Sequence, residues 1–311
     1  MIEPALDSGN TAWLLAASAL VLLMAPGLAL FYGGMVRSKS VLNMMMMTFG
    51  ALAVISVLWV LVGYSIAFGD DVGLGLLGDP TQHFGLGGFM DADAIHPAGV
   101  PWMLFAIFQG LFCVITGALV SGAIADRARF GAWLVFVAIW TLAVYAPVAH
   151  WVFDFSAGDH VGGWLANEVK LIDFAGGTAV EICSGASALA LALVIGPRIG
   201  FGRESMRPHN LTLVMLGAGL LWFGWFGFNA GSALGANHTA AVVFTTTLLA
   251  GAAGSLGWLV QERLRYGHGT SLGAASGLVA GLVAITPSGG SLSPIGAIVM
   301  GLAAGVVCAL A

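Results

Sequence analysis

An acid stands in the middle of an otherwise uncharged apolar stretch. Glu181 lies within the run 174–195, which carries no other charge. An ionised group at the centre of a bilayer costs about 3 kcal/mol on insertion scales, so such groups face a protein interior or an ion pathway. Asp173 opens the same stretch eight residues earlier. On one helix rising ~1.5 Å per residue, the two carboxyl positions would lie ~12 Å apart, the first near the interface and the second near the middle of a ~30 Å core. That spacing suits the handling of a cation on its way across a membrane.

The elements that must hold these acids follow from composition. Hydrophobic residues make up 59% of the 311 and charged ones 8%, against about a quarter charged in soluble domains. The 46 glycines suit close packing between membrane helices. Apolar runs long enough to span occur at 13–32, 41–68, 100–124, 130–149, 174–195, 211–228, 240–260, 271–286 and 294–311. The expected fold class is an all-α polytopic membrane protein with nine helices. Arg37, Lys39, Arg127, Arg129, Arg198, Arg203, Arg207, Arg263 and Arg265 all fall in odd-numbered connections, and only Lys170 falls in an even one. Basic short loops stay in the cytoplasm, so the expected N-terminus is outside, in the inner or plasma membrane of a cell. Glu3 and Asp7 precede the first run without a basic start, which argues against a cleaved signal.

Acids gather in the outer connections: Asp70, Asp71, Asp79, Asp91 and Asp93 in one, then Asp154, Asp159, Glu168 and Asp173. They are either a cation-concentrating face or residues left where Lys and Arg are excluded. Cys113, Cys183 and Cys308 all fall in spans and read as small apolar residues, not as a disulfide or metal framework. The histidines His83, His96, His150, His160, His209, His238 and His268 fall in loops or at helix ends and read as interfacial or capping groups. No cofactor, metal or nucleic-acid partner is expected. The last run reaches Ala311 without a flanking charge, aromatic belt or polar tail, so the expectation is a chain cut short.

The stretch Asp173-Phe174-Ala175-Gly176-Gly177-Thr178-Ala179-Val180, with Ser184, Gly185, Ala188 and Gly196-Pro197-Arg198, resembles the signature of ammonium transporters of the Amt/Mep/Rh superfamily. Other segments agree in order: Pro26-Gly27, Phe31-Tyr32-Gly33-Gly34, Gly63-Tyr64-Ser65, Ala67-Phe68-Gly69, Phe108-Gln109-Gly110, Pro208-His209-Asn210, the GWFGFNAGS stretch at 224–232 and Thr286-Pro287. The resemblance covers essentially the whole chain, read as one transporter domain over 1–311. It implies an eleven-helix fold with an inverted 5+5 repeat, a homotrimer with one pore per subunit, and here the absence of helices 10 and 11. That absence would leave the pore open on one side.

The resemblance also implies roles. Phe112 and Phe228 match a stacked ring pair that closes the pore, where an ion must shed water to pass. Ser232 matches a hydroxyl at the outer recruitment site, and Trp225 matches a pore-lining tryptophan. Asp173 is either a helix cap or a direct partner of ammonium. The family's recruiting tryptophan is replaced by Phe153, followed by an insertion at 154–163, with Trp151 and Trp164 as possible substitutes. Phe is the weaker cation-π partner.

Glu181 is the larger departure. The family usually has a histidine here, paired with a second on helix 10, though some fungal and bacterial members carry glutamate. The carboxylate either accepts a proton from ammonium, the favoured reading, or holds the ion and relaxes selectivity against potassium. The expected function is therefore ammonium or ammonia transport through a hydrophobic pore. The alternative is an ammonium-sensing module coupled to a signalling domain. An intramembrane enzyme is set aside, because no mid-depth histidine accompanies Ser184 or Ser187. A PII-class signalling protein at the inner loops around 198–207 and 263–265 is the partner the family implies.

Overall fold

A computed structural model describes residues 5–198 and 200–311; Glu3 lies outside them. Among the described residues, seven helical stretches are long and apolar enough to cross a membrane. They are α1 (Ser8–Met35), α2 (Ser38–Phe68), α3 (Trp102–Ile124), α4 (Phe130–Phe153), α5 (Gly177–Ile195), α6 (Leu211–Gly231) and α7 (His238–Tyr266). Two shorter apolar helices follow, α8 (Ser271–Ile285) and α9 (Pro294–Leu310). Together these nine occupy the nine runs.

Several boundaries are written in side chains. Asp7, Asn210, Asn237, Thr270 and Ser293 each accept a hydrogen bond from a free backbone amide at the start of α1, α6, α7, α8 and α9, satisfying donors that the helix cannot pair itself. Arg263 and Arg265, expected in a connection, sit instead in the last turn of α7. Cations are favoured there by the negative end of the helix dipole, which extends the helix past the apolar run. Similarly, α4 continues to Phe153, one turn beyond the run, and carries His150 inside it.

The longest interhelical contact joins α1 to α6, the first helices of the two expected repeats. Small residues allow it: a Cβ added at Gly34 would lie 2.6 Å from the Asn210 carbonyl oxygen. In a bilayer, such close backbone approach supplies the association that hydrophobicity cannot. Three spans each contain a π-helical turn, at Trp59–Gly63 in α2, Thr141–Tyr145 in α4 and Gly177–Ile182 in α5. The long connection between α2 and α3 carries a short antiparallel hairpin, β1 (Ile95–His96) and β2 (Val100–Pro101), with His96 opposite Val100.

Candidate functional site

The start of α5 is built by Asp173. Its Oδ1 accepts hydrogen bonds from the amides of Gly176 (2.8 Å) and Gly177 (2.7 Å), and its Oδ2 from Thr178 (2.7 Å) and Ala179 (3.4 Å). A carboxylate so placed meets four free amides at the positive end of the helix. Asp173 and Glu181 are therefore not on one continuous helix, contrary to the spacing argument. The chain turns at Gly176, where φ is 115°, a conformation open to glycine and strained for other residues. Only then does α5 begin, with its π-turn. Gly177 packs against Pro287: a Cβ there would lie 2.5 Å from the proline Cβ. The apolar pattern of 174–176 hid this break, because a capping loop buried under Pro287 is as apolar as a helix.

Phe112 of α3 and Phe228 of α6 stack with ring centroids 4.2 Å apart and planes 27° from parallel. Both are buried. A chamber lies against each side of the pair. The first is a vestibule of about 860 Å³ whose lining includes Phe112, Gln109, Phe153, Asp173 and Ser232. The Ser232 hydroxyl donates to the Phe228 carbonyl at 2.9 Å, leaving its lone pairs as acceptors. The second is a narrow lumen of about 90 Å³ between α1, α3, α5, α6 and α8, lined by Phe228, Trp225, Glu181 and apolar side chains such as Ile115, Leu119 and Val283.

Glu181 belongs to this lumen. The residue is partly exposed, yet both carboxyl oxygens are buried and neither has a hydrogen-bond partner among the described residues. It lies in the Gly177–Ile182 π-turn, a kind of irregularity frequent at functional sites. Trp225 forms the opposite wall. Its Nε1–H donates to Thr286 Oγ1 at 2.9 Å, the Thr286 hydroxyl donates on to the Leu282 carbonyl (2.8 Å), and Asn229 Nδ2 donates to Thr247 Oγ1 (3.0 Å). These buried partners fix the indole beside Phe228, 5.5 Å between ring centroids. Thr286 thus supports the lumen through Trp225 while Pro287 presses on Gly177.

Phe153 lines the vestibule, but neither neighbouring tryptophan does. Trp151 donates its indole N–H to the Leu76 carbonyl at 2.8 Å and lies 6.2 Å from Trp164, ring to ring. They join the last turn of α4 to the α2–α3 loop, and neither lies where the alternative to Phe153 would place it. The tryptophan that does reach the vestibule is Trp102, with Tyr64, Phe89 and Phe105. They lie at the ends of α2 and α3 and in the loop between them, in the places where an isolated aromatic reads as an interfacial belt.

Four histidines also depart from the interfacial reading. His83, His96 and His160 line the vestibule. Burial pulls the His96 imidazole down to about 4 and lowers His83 as well, so both are neutral near pH 7. His150 is fully buried, with Nδ1 3.2 Å from Asp154 Oδ2 and Nε2 3.4 Å from Asp71 Oδ1. His160 Nε2 approaches the two Asp154 oxygens at 2.9 and 3.0 Å, and its Nδ1 contacts Asp70. Desolvation lowers His160, but its contacts with Asp154 and Asp70 prevail and hold its pKa above the ordinary histidine value. Asp71 is desolvated yet held below the usual carboxylate range by amides of Gly75, Leu77 and Gly73 and by His150. Three outer acids are thus knotted to two imidazoles by a fold that joins positions 90 apart. No local pattern announces it, apart from the insertion at 154–163.

Among the described residues no group of three or more His, Cys, Asp or Glu side chains is arranged to hold a metal ion. Cys113 and Cys183 are buried and free; Cys308, also free, is exposed.

Known proteins share this arrangement of chain. A sequence profile described as the Ammonium Transporter Family matches residues 12–311. The ammonium transporter of Mycobacterium tuberculosis is 58% identical over 321 residues, taking in 98% of this chain and 67% of that protein. That of Aquifex aeolicus is 49% identical over 308 residues, 98% of this chain and 69% of that one. The crystal structure of Saccharomyces cerevisiae Mep2 superposes with a TM-score of 0.88 at 38% identity, over 98% of this chain and 69% of that one. A sensor Amt protein gives a TM-score of 0.88 at 29% identity, over 97% and 74%. The chain thus spans about two thirds to three quarters of the length of these relatives. With the two chambers on either side of a ring pair and matches from end to end, this chain belongs to the ammonium transporter family.

Proposed function

We propose that ammonium enters the vestibule, meets Phe153, Phe112 and Ser232 as its recruitment site, and gives up a proton to Glu181 on crossing the Phe112–Phe228 gate. The observation that carries this reading is a carboxyl group with two unpartnered oxygens, in an apolar lumen directly beneath that gate. In the transfer one N–H bond of ammonium breaks and one O–H bond forms on Glu181, leaving ammonia and a neutral acid. Ammonia, uncharged, then has a low barrier through the remaining apolar lumen, and Glu181 is restored when its O–H bond breaks and the proton passes to water from the inner side. The stacked rings exclude bulk water, so the ion sheds its hydration before it reaches the carboxylate. Trp225 lines the path, and Asp173 shapes the vestibule floor by holding the start of α5 rather than by touching the ion.

Full-length protein in liposomes on a supported membrane is expected to give an ammonium-evoked current, and Glu181→Gln to lose it while the assembly survives. Unchanged ammonium uptake by Glu181→Gln would remove this residue from the mechanism. The similarity to a sensor Amt protein supports a second reading, ammonium sensing; tight binding with no current would favour it. We further propose the plasma membrane as location, an outward N-terminus, a homotrimeric assembly, and a PII-class partner at the basic inner loops. The positive-inside distribution of Lys and Arg supports the orientation.

A further inference from the structure

Two carboxylates line the vestibule, Asp154 and Asp173, and they differ in what already holds them. Both oxygens of Asp173 are occupied by backbone amides. Among the described residues the Asp154 side chain accepts from no amide; the imidazoles of His150 at 3.2 Å and His160 at 2.9 and 3.0 Å face it. Around it the charges do not balance. Asp70 and Asp71 come from the α2–α3 loop, Asp154 and His160 from the insertion, and His150 from α4. His83 and Asp79 lie near the same group, and Tyr64 faces Asp154 from α2. Among the groups in contact, three carboxylates (Asp70, Asp71 and Asp154) face two imidazoles (His150 and His160), so even two imidazolium ions would not offset the acids. No lysine or arginine among the described residues lines the vestibule. His150 lies behind this group, fully buried, with its Nε2 3.4 Å from Asp71 Oδ1.

His160 is the one member of the cluster that both reaches the cavity and carries a cation when protonated. It bridges Asp154 to Asp70 across the rim, and the insertion that bears it closes on itself through the Ala157–His160 bridge and the Gly162 amide donating to Ser156 Oγ. Asp154 is also the residue after Phe153 and the hinge of this insertion, its carbonyl accepting from Gly163 N and Asn167 Nδ2, both at 3.0 Å. From this placement, and resting on the transport reading above, we propose that Asp154 is a further ammonium-recruiting carboxylate of the vestibule and that His160 competes with the arriving ion for it.

The sign follows from the charges. Protonated His160 pairs with Asp154 and Asp70 and offsets one of their two charges, which weakens the pull on external ammonium. When pH rises through the raised His160 value, the imidazolium contact is lost and Asp154 is freed for the ion. Ammonium itself stays protonated over this range, so recruitment should improve from acid to neutral pH.

The test is the half-saturation of the ammonium-evoked current of full-length protein, followed from acid to mildly alkaline pH. In the unaltered protein half-saturation should fall several-fold across that range. His160→Gln should flatten the dependence and give tighter half-saturation at the acid end. Asp154→Asn should raise half-saturation about tenfold near neutral pH, with the maximal current changing less. Because Asp154 is buried and its variant is at risk of misassembly, Asp70→Asn supplies a second arm on the exposed side of His160. Losing that charge lowers the His160 value, so the acid-side loss should move to lower pH. A His160→Gln protein that keeps the wild-type pH dependence, or an Asp70→Asn protein with an unmoved acid limb, overturns the inference. Absence of any current from the unaltered protein sinks the transport reading instead, whereas a current with a pH-independent half-saturation sinks this inference alone.

Discussion

The chambers above and below the Phe112–Phe228 pair obey opposite rules for polar groups. At the vestibule and its rim these acids are engaged: Asp173 by four amides, Asp71 by amides and His150, Asp154 and Asp70 by His160. In the lumen Glu181, the only acid among the described lining residues, has no hydrogen-bond partner among them, and the surrounding wall is largely apolar. A buried polar group left unpaired costs about 1–3 kcal/mol and more when charged. An acid left unpaired beside satisfied ones leaves a hydrogen bond for a ligand to supply. Under the proposed function the vestibule attracts and orients the ion, and the lumen carries out chemistry on it once dehydrated.

The sharpest break in that contrast is Glu181→Gln, which keeps shape and removes the proton acceptor. General acid–base groups contribute about 100-fold or more, so transport should fall at least that far; the check is ammonium-evoked current at matched protein density, with size-exclusion elution to verify assembly. Next is Gly177→Ala. The added Cβ meets Pro287 at the π-turn that positions Glu181, and overpacking of this kind destabilises by about 1–3 kcal/mol. A lowered midpoint of thermal unfolding in detergent, together with reduced current, is the expected result, whereas a normal midpoint would show that the turn tolerates displacement.

Phe112→Ala tests whether the ring pair keeps the chambers distinct. Removing one ring should let water into the lumen and reduce the preference for ammonium over potassium about tenfold, equivalent to about 1.4 kcal/mol. Reversal potentials in mixed salts measure it. The smallest effect belongs to Phe153→Ala, a vestibule change alone. Loss of an exposed cation-π contact of about 0.5–1 kcal/mol should raise half-saturation about two- to fivefold with little change in maximal rate. An altered maximal rate with unchanged half-saturation would move Phe153 out of recruitment.

What reading along the chain reached, and where it stopped, is clearest around α5. The run 174–195 marked a span correctly from Gly177 onward, and the acid within it stood out at once. Its first three residues belong to a capping loop under Pro287, which hydropathy does not separate from helix. Phe112 and Phe228 were identifiable only through resemblance, since either ring alone is an ordinary core residue. Trp151 and Trp164 flank Phe153 in the chain, yet helix rotation points them at Leu76 and at each other. The vestibule histidines carried no signal of their own.

The sequence by itself determined the membrane class, the nine apolar helices and the place of the intramembrane acid, because hydropathy depends on residues adjacent in the chain. Only the tertiary structure decided that Asp70 meets His160, that the two phenyl rings stack, and that Glu181 faces a lumen instead of lipid. Those outcomes depend on the rotation and register of helices against one another, which close packing sets across distant positions and no local pattern encodes.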